Sequence, residues 1–177
     1  ADDLGSAFAG RAVSVSSPQG RFAADASVLD GAVVLDAVSA GKHLFVEFEG
    51  DRVVHVHLGL IGRFDISTAE AAAPAQGAVR LRLATTSADA TTWADLRGAT
   101  VCELISSARR HAIRAKLGPD PLDPDADSTL AWRRIKSSHR PIGDLLMDQG
   151  VLAGVGNVYR AEILFRHRIH PLRPGNT

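Results

Sequence analysis

Apolar and polar residues alternate in short runs through the first two-thirds of the chain, and helical spacing replaces the alternation in the last third. The runs "RAVSVSS", "GAVVLDAVSAG", "KHLFVEFEG", "DRVVHVHLG" and "VRLRLAT" each read as a short strand. Within 42–48, Leu44, Val46 and Phe48 share one face; within 52–57, Val54 and Val56 oppose His55 and His57. Glu49, Gly50 and Asp51 between these runs predict a tight hairpin connection. In "WADLRGATVCELI", strand character returns around 100–104. Several short strands with Gly-containing breaks predict a β-sandwich or a barrel-like sheet. The opening "ADDLGSAF" has early acids and Leu4 and Phe8 four apart, which reads as the end of a helix, and "AEAAAPAQG" reads as a loop with little side-chain information.

Three prolines and four aspartates fall within 119–127, a density that breaks helix and strand alike and marks a boundary. After it, Asp127 or Ser128 can cap a helix containing Leu130, Trp132 and Ile135. Pro141 at a first-turn position opens a second helix over 142–149 through Leu145, Leu146 and Gln149. Asn157 is placed to cap a third over 157–167, in which Val158, Ile163, Leu164 and Phe165 alternate with charged residues. The pattern therefore predicts an α+β chain: a β-rich domain over 1–116, a linker over 117–127 and a small helical domain over 128–177. No internal repeat is visible.

Composition narrows the class without naming it. Hydrophobic content of 45% and charged content of 23% are those of an ordinary globular protein. The single cysteine, Cys102, forbids an internal disulfide, and no CxxC or Cys/His cluster proposes a metal site. No apolar run approaches the ~20 residues that span a membrane, and no signal peptide is visible, so a reducing cytoplasm is the expected compartment. The net charge of zero conceals an asymmetry. Residues 133–177 hold eight Lys/Arg against three acids, a balance of +5, which leaves −5 on the rest. A basic segment on a neutral chain attracts polyphosphates, although basic helices are often only solvated.

Three stretches carry candidate chemistry. In "DQGVLAGVGNVYRAEILFR", Gly154, Gly156 and Asn157 stand directly against a helix start. Glycines let the backbone approach a ligand with no Cβ in the way, the Asn amide can donate, and the helix start adds its dipole. Such a corner grips a phosphate without reading a base, and Arg160 one turn on would reinforce it. A glycine-tolerant corner with a capping Asn explains the same residues. Lys42, after Gly41 at the mouth of a strand, can reach across a cleft or simply point into water. Leu60 and Ile61, between Gly59 and Gly62, belong to a turn, where they either cover the core or wedge between stacked bases. His55 and His57 have no third ligand nearby and read as ordinary sheet histidines; Cys102 reads as buried and inert.

Taken in order, "GKHLFVEF", "VHLGLIGRF", "RAKLGPDPL" and "LLMDQGVLAGVGNVYRAEILFRHRIHP" resemble the formamidopyrimidine-DNA glycosylase / endonuclease VIII family, more on the endonuclease VIII side. The resemblance covers nearly the whole chain, and its glycine-containing segment is the most specific part. It implies an N-terminal β-sandwich joined to a helical domain with a helix–two-turn–helix element. It implies excision of oxidised bases by base flipping, attack of an N-terminal proline amine on C1′, a Schiff base and β,δ-elimination. Its partner is then double-stranded DNA carrying damaged bases or abasic sites, bound by a monomer at the nucleoid with no membrane involved. By the same resemblance Lys42 touches phosphate and assists catalysis. Leu60, with Gly59 and Ile61, fills the vacated stack; Gly154, Gly156 and Asn157 grip phosphate; Arg160 and Glu162 fall on helix positions that face the site.

Two departures qualify those expectations. The family begins Pro-Glu, whereas Ala1, Asp2 and Asp3 stand here, and the family's four-cysteine zinc finger has no counterpart in this sequence, whose single cysteine is Cys102. Residues 1–177 alone are therefore expected to carry no cofactor, to bind DNA weakly and to cut nothing, the activity belonging to a longer protein. A non-catalytic nucleic-acid-binding protein on the same scaffold is the alternative.

Overall fold

A computed structural model describes all of residues 1–177. Helix α1 (Asp2–Phe8) starts on two acids and buries Leu4 and Phe8, four apart and therefore on one face. Strand β1 (Ser14–Ser16) and helix α2 (Ala23–Leu29) follow, then β2 (Val34–Ala40), β3 (His43–Phe48), β4 (Arg52–His57), β5 (Arg63–Ala69), β6 (Val79–Thr86), β7 (Thr91–Arg97) and β8 (Val101–Ile105). Helices α3 (Ser107–Arg114), α4 (Ser128–Lys136), α5 (Ile142–Leu145) and α6 (Asn157–Arg166) complete the order. Two compact units result. One comprises Ala1–Ser39 with His43–His111; the other comprises Ala40–Lys42 with Ala112–Thr177.

The first unit is a β-sandwich of two four-stranded sheets, ordered β1-β6-β7-β5 and β2-β3-β4-β8. Leu81, Leu83, Ala94 and Leu96 from one sheet share a core with Val34, Val46, Phe48, Val54 and Val56 from the other, closed by Phe8 and Leu29. The alternation that predicts the β3–β4 pair holds in register, with Val46 opposite Val54. Gly50 and Asp51 take φ of 76° and 57° in the hairpin between them. Cys102 lies in this core, where burial pushes its thiol up to about 12; the side chain is an inert hydrophobe.

Polar side chains also organise this unit. Asp95, 4% exposed, accepts from Arg82 at 2.6 and 2.7 Å and from Arg97 at 2.8 Å. Burial pushes the Asp95 carboxyl up, but the hydrogen bond and charge of Arg82, then Arg97, outweigh it and leave it below its ordinary value. The same arginines donate to the carbonyls of Ala73 and Gln76, fixing the loop after β5. On the other sheet, the β-strand face opposite the core carries His43, Phe45, His55 and His57 with stacked or edge-on rings. The Glu103 carboxylate can only accept, so His55 Nδ1 donates to it at 2.9 Å. His55 Nε2 then accepts from His43 Nδ1 at 2.8 Å, which fixes both tautomers.

The second unit departs from its expected boundaries. The Asp/Pro stretch 117–127 packs into it: Gly118 N–H donates to Gln149 O at 2.8 Å, and Ala153 N–H to Pro119 O at 3.0 Å. Asp127, rather than Ser128, caps α4 by accepting from Thr129 N–H at 2.9 Å. The helix predicted over 142–149 is a single turn, α5, with Pro141 at its N-cap. The chain leaves the helix because the Asp148 carboxylate takes the Gly150 N–H at 3.0 Å and the Asp148 carbonyl takes that of Val151. Two turns then lead to α6, giving a helix–two-turn–helix around Leu146, Val155 and Leu164.

Burial, and then the charges that His55 and His57 would bear, push His43 below its ordinary pKa of 6.5. Glu103 faces His55 from β8. A histidine kept neutral by the fold is protonated first in the unfolded chain. Its share of stability is therefore full above 6.5 and falls as pH drops below that value, until the lower folded pKa is reached. Thermal unfolding at about pH 5.5 is expected to show a lower midpoint than at about pH 7.5, with a smaller drop in His43→Gln. Equal drops in the two chains would remove His43 as the source.

Candidate functional site

The turn leaving β2 and the bend entering α6 meet in the second unit. Gly41 has φ 56°, and a Cβ there would lie 3.0 Å from Gly154 N and 3.1 Å from Ala153 Cβ, so only glycine fits without displacement. Its N–H donates to Asp120 Oδ2 at 2.8 Å, while Asp120 Oδ1 accepts from Leu122 N–H at 3.0 Å. Asp120, which in sequence is only one of four linker aspartates, thus fixes the turn that carries Lys42. The Lys42 ammonium has no ion-pair or hydrogen-bond partner within the chain. Its Nζ and Cε stand 3.6 and 3.7 Å from where a Cβ on Gly156 would be. A Cβ at 156 would come into ordinary contact with the end of the Lys42 side chain.

The backbone amides of this bend divide into two sets. Gly154, with φ 84°, donates its N–H to Gln149 Oε1 at 2.9 Å and is not free to bind a ligand, contrary to the sequence expectation. Gln149 Nε2 in turn donates to the carbonyls of Val155 at 3.0 Å and Met147 at 3.1 Å. One primary amide therefore clamps the bend from inside. Beyond it, the N–H groups of Gly156, Asn157, Val158 and Tyr159 have no acceptor in the chain. Asn157 is also displaced from its expected role. Gly156 occupies the N-cap, Asn157 is the first helical residue, and no side chain caps α6. The Asn157 amide is exposed and makes no hydrogen bond, because the extended backbone of Gly156 starts the helix one residue earlier.

Four unpaired amides at the positive end of a helix, with an unpaired ammonium beside them, have the chemistry to hold a multiply charged oxyanion. Asp148, next to Gln149 in the chain, is held by charge. Asp148 accepts from Arg140 at 2.7 Å, and that bond keeps the Asp148 carboxyl below the usual carboxylate range.

The remaining candidates fall elsewhere. Arg160 is half-buried and lines a groove of about 730 Å³ with Asp144, Phe165 and His170. Glu162 is five residues past Asn157, about 140° around the helix, and lies 3.6 Å from Arg166 in an exposed i,i+4 pair. The structure does not bring Glu162 to the corner. Leu60 and Ile61 sit in the first unit, on the turn between β4 and β5, 99% and 84% exposed. They do not cover the core. Gly59 donates its N–H to His57 Nδ1 at 3.1 Å, and a Cβ at 59 would meet Thr100 Cγ2 at 2.5 Å, so the turn is firmly seated beneath its apolar tip. His55 and His57 direct Nδ1 to Glu103 and Thr100, as structural sheet histidines do.

Residues 117–177 match the formamidopyrimidine-DNA glycosylase H2TH domain, and residues 5–102 match the formamidopyrimidine-DNA glycosylase N-terminal domain. The chain is similar to endonuclease 8 1 of Mycobacterium tuberculosis, 56% identical over 173 residues, covering 95% of this chain and 62% of that protein. It is 37% identical over 146 residues to a formamidopyrimidine-DNA glycosylase of Thermomicrobium roseum, covering 75% of this chain and 50% of that one. In structure it resembles the formamidopyrimidine-DNA glycosylase of Lactococcus lactis bound non-covalently to DNA containing an abasic site. The TM-score is 0.78 at 27% identity over 99% of this chain and 68% of that one. The chain thus spans less than two-thirds of the length of these two sequence relatives.

Gln149→Leu should leave the Gly154 N–H and the Val155 carbonyl without their side-chain partner, destabilising the chain by about 1–3 kcal/mol. Gln149→Glu keeps an acceptor for Gly154 but loses both donors, and should fall between the two in urea unfolding. A leucine variant as stable as the native chain would show that the amide does not hold the bend.

Proposed function

This chain belongs to the formamidopyrimidine-DNA glycosylase family, and from that premise we propose that its protein is a DNA-repair glycosylase with abasic-site lyase activity. It acts on duplex DNA, takes a damaged base out of the stack, cleaves the glycosidic bond and cuts the strand at the resulting abasic site. One observation carries this reading: the unpaired Lys42 ammonium stands beside bare Gly156, where α6 presents four amides without acceptors.

Each part of residues 1–177 then has a physical task. Gly156, Asn157 and the first-turn amides grip a backbone phosphate, which positions the duplex without selecting a base. Lys42 neutralises a phosphate at the lesion and stabilises charge that develops there during strand cleavage. Flipping a base costs a few kcal/mol in lost stacking, less for a damaged one. Leu60 and Ile61, apolar and solvent-exposed on a seated turn, fill the emptied place and so favour the flipped state. Arg160, which lines the groove with Asp144, Phe165 and His170, is given no part in the phosphate grip. The reaction itself is amine chemistry. A nucleophilic amine attacks C1′ and expels the base, the Schiff base acidifies the neighbouring carbon, and β- then δ-elimination expels the two phosphates. In the family pattern that amine is an N-terminal proline; the residues named above are assigned binding and positioning. Glu162, paired with Arg166, is given no chemical role.

Borohydride trapping tests the chemistry. The protein with its native flanking sequence, incubated with duplex carrying an oxidised base or an abasic site, should yield a covalent adduct. A folded protein that binds this duplex and forms no adduct would instead be a non-catalytic binder. Three substitutions test the assignments. Asn157→Ala should weaken binding to all sequences alike. Lys42→Ala should lower the salt slope by about 0.9 and reduce turnover more than affinity. Leu60→Ala should reduce discrimination of lesion over intact duplex, read as the ratio of the two affinities. If Asn157→Ala binds as tightly as the native protein, the corner has been assigned wrongly.

A further inference from the structure

Between residues 106 and 117, Arg109, Arg110, His111, Arg114 and Lys116 can carry positive charge, and no residue carries negative charge. Most of this stretch is helix α3, which buries no residue and has no acid in its first turn. Acids from elsewhere meet it at two points: Asp51 accepts from Ser107 N–H at 3.0 Å, and Glu47 pairs with Arg110. Arg109, Arg114 and Lys116 have no ion-pair partner.

Such a helix is hard to explain by stability alone. Apolar packing does not select it, since no residue in it is fully buried and only the Arg110 side chain, paired with Glu47, is largely covered. Arg110 and Arg114 are like charges four apart, and Arg109 and Arg110 lie toward the positive end of the helix dipole; both arrangements weaken a helix. α3 does join the two units, with Ser107–His111 in one and Ala112–Arg114 in the other. A solvated connector needs polar residues, however, and mixed charges in i,i+4 pairs would meet that need while strengthening the helix. A single sign is what a polyanion requires. A membrane surface is disfavoured because a helix bound there needs an apolar face, and no large exposed apolar residue lies in this stretch.

We propose that α3 and the turn after it form a second phosphate-backbone contact, made by Arg109, Arg114 and Lys116, in addition to the Lys42–Asn157 corner. This rests on the DNA-repair reading above. The contact is electrostatic and independent of sequence, and each cation that neutralises a phosphate releases condensed counterions.

The test is fluorescence anisotropy with a duplex carrying a tetrahydrofuran abasic analogue, titrated from about 50 to about 200 mM salt. The native protein is compared with R109Q/R114Q/K116Q and with each single substitution, all checked by circular dichroism and thermal midpoint. The triple variant should lose about two to three from the magnitude of the log–log salt slope, each single about 0.9, with the preference for the abasic duplex unchanged. The single variants decide the matter if the triple fails to fold. Slopes within about 0.5 of native in a protein that binds the duplex would overturn this inference and leave the corner intact. Absence of salt-dependent duplex binding by the native protein would overturn the DNA reading and this inference together. Native binding to phosphatidylserine vesicles, lost in the triple variant while its duplex slope stays native, would reassign the surface to a membrane.

Discussion

The second unit turns on the side-chain amide of Gln149. It accepts from the Gly154 N–H and donates to the Val155 and Met147 carbonyls, so a bend rich in glycine becomes a fixed shape. Glycine in such a bend is otherwise an entropic liability, since it loses more freedom on folding than any other residue. With the interior of the bend clamped, the amides just beyond it stay free of partners and point in a set direction. Organisation of this kind lets a site hold an anion without first rearranging. Gly41 and Asp120 do the equivalent for the lysine, one by leaving out a Cβ that would lie 3.0 Å from Gly154 N, the other by anchoring the turn.

Much of this was legible in the sequence, and the losses have physical reasons. Strands announce themselves where apolar and polar residue types alternate, so β3, β4 and β6 read correctly, although in β4 Val53, Val54, His55 and Val56 are all buried. Strand β7 did not, because Trp93, Ala94, Asp95 and Leu96 are all buried and the period of two is erased. Helices α2 and α3 were missed because seven or eight residues are too few to show a helical period, and α3 has no apolar face to repeat. The second helix was overextended because its apolar spacing continues into a turn that Asp148 closes through its own side chain and carbonyl.

At the site, the residue types were readable but their hydrogen bonds were not. Gly154, Gly156, Asn157 and Lys42 meet in space, yet the free amides begin at Gly156 and Asn157 starts the helix instead of capping it. Gln149 and Asp120 gave little signal: one sat inside an apparent helix, the other among four aspartates. The spacing Gln149–Gly154, five apart with a glycine at the far end, is a pattern that a side-chain-to-backbone clamp can exploit. Charge counted by blocks also misled. The −5 assigned outside 133–177 hides a stretch between 106 and 117 with no acid at all.

The loop after β5 is gripped by Arg82 and Arg97, but only at the carbonyl oxygens of Ala73 and Gln76. Carbonyls are the same for every amino acid, so those grips ask nothing of the loop's identity. Its run of alanines can be rewritten over evolutionary time without loosening it from the sheet. Constraint has moved to the three charged residues beneath, which makes this segment a natural place for the lineage to try new surface chemistry while the sandwich stays as it is.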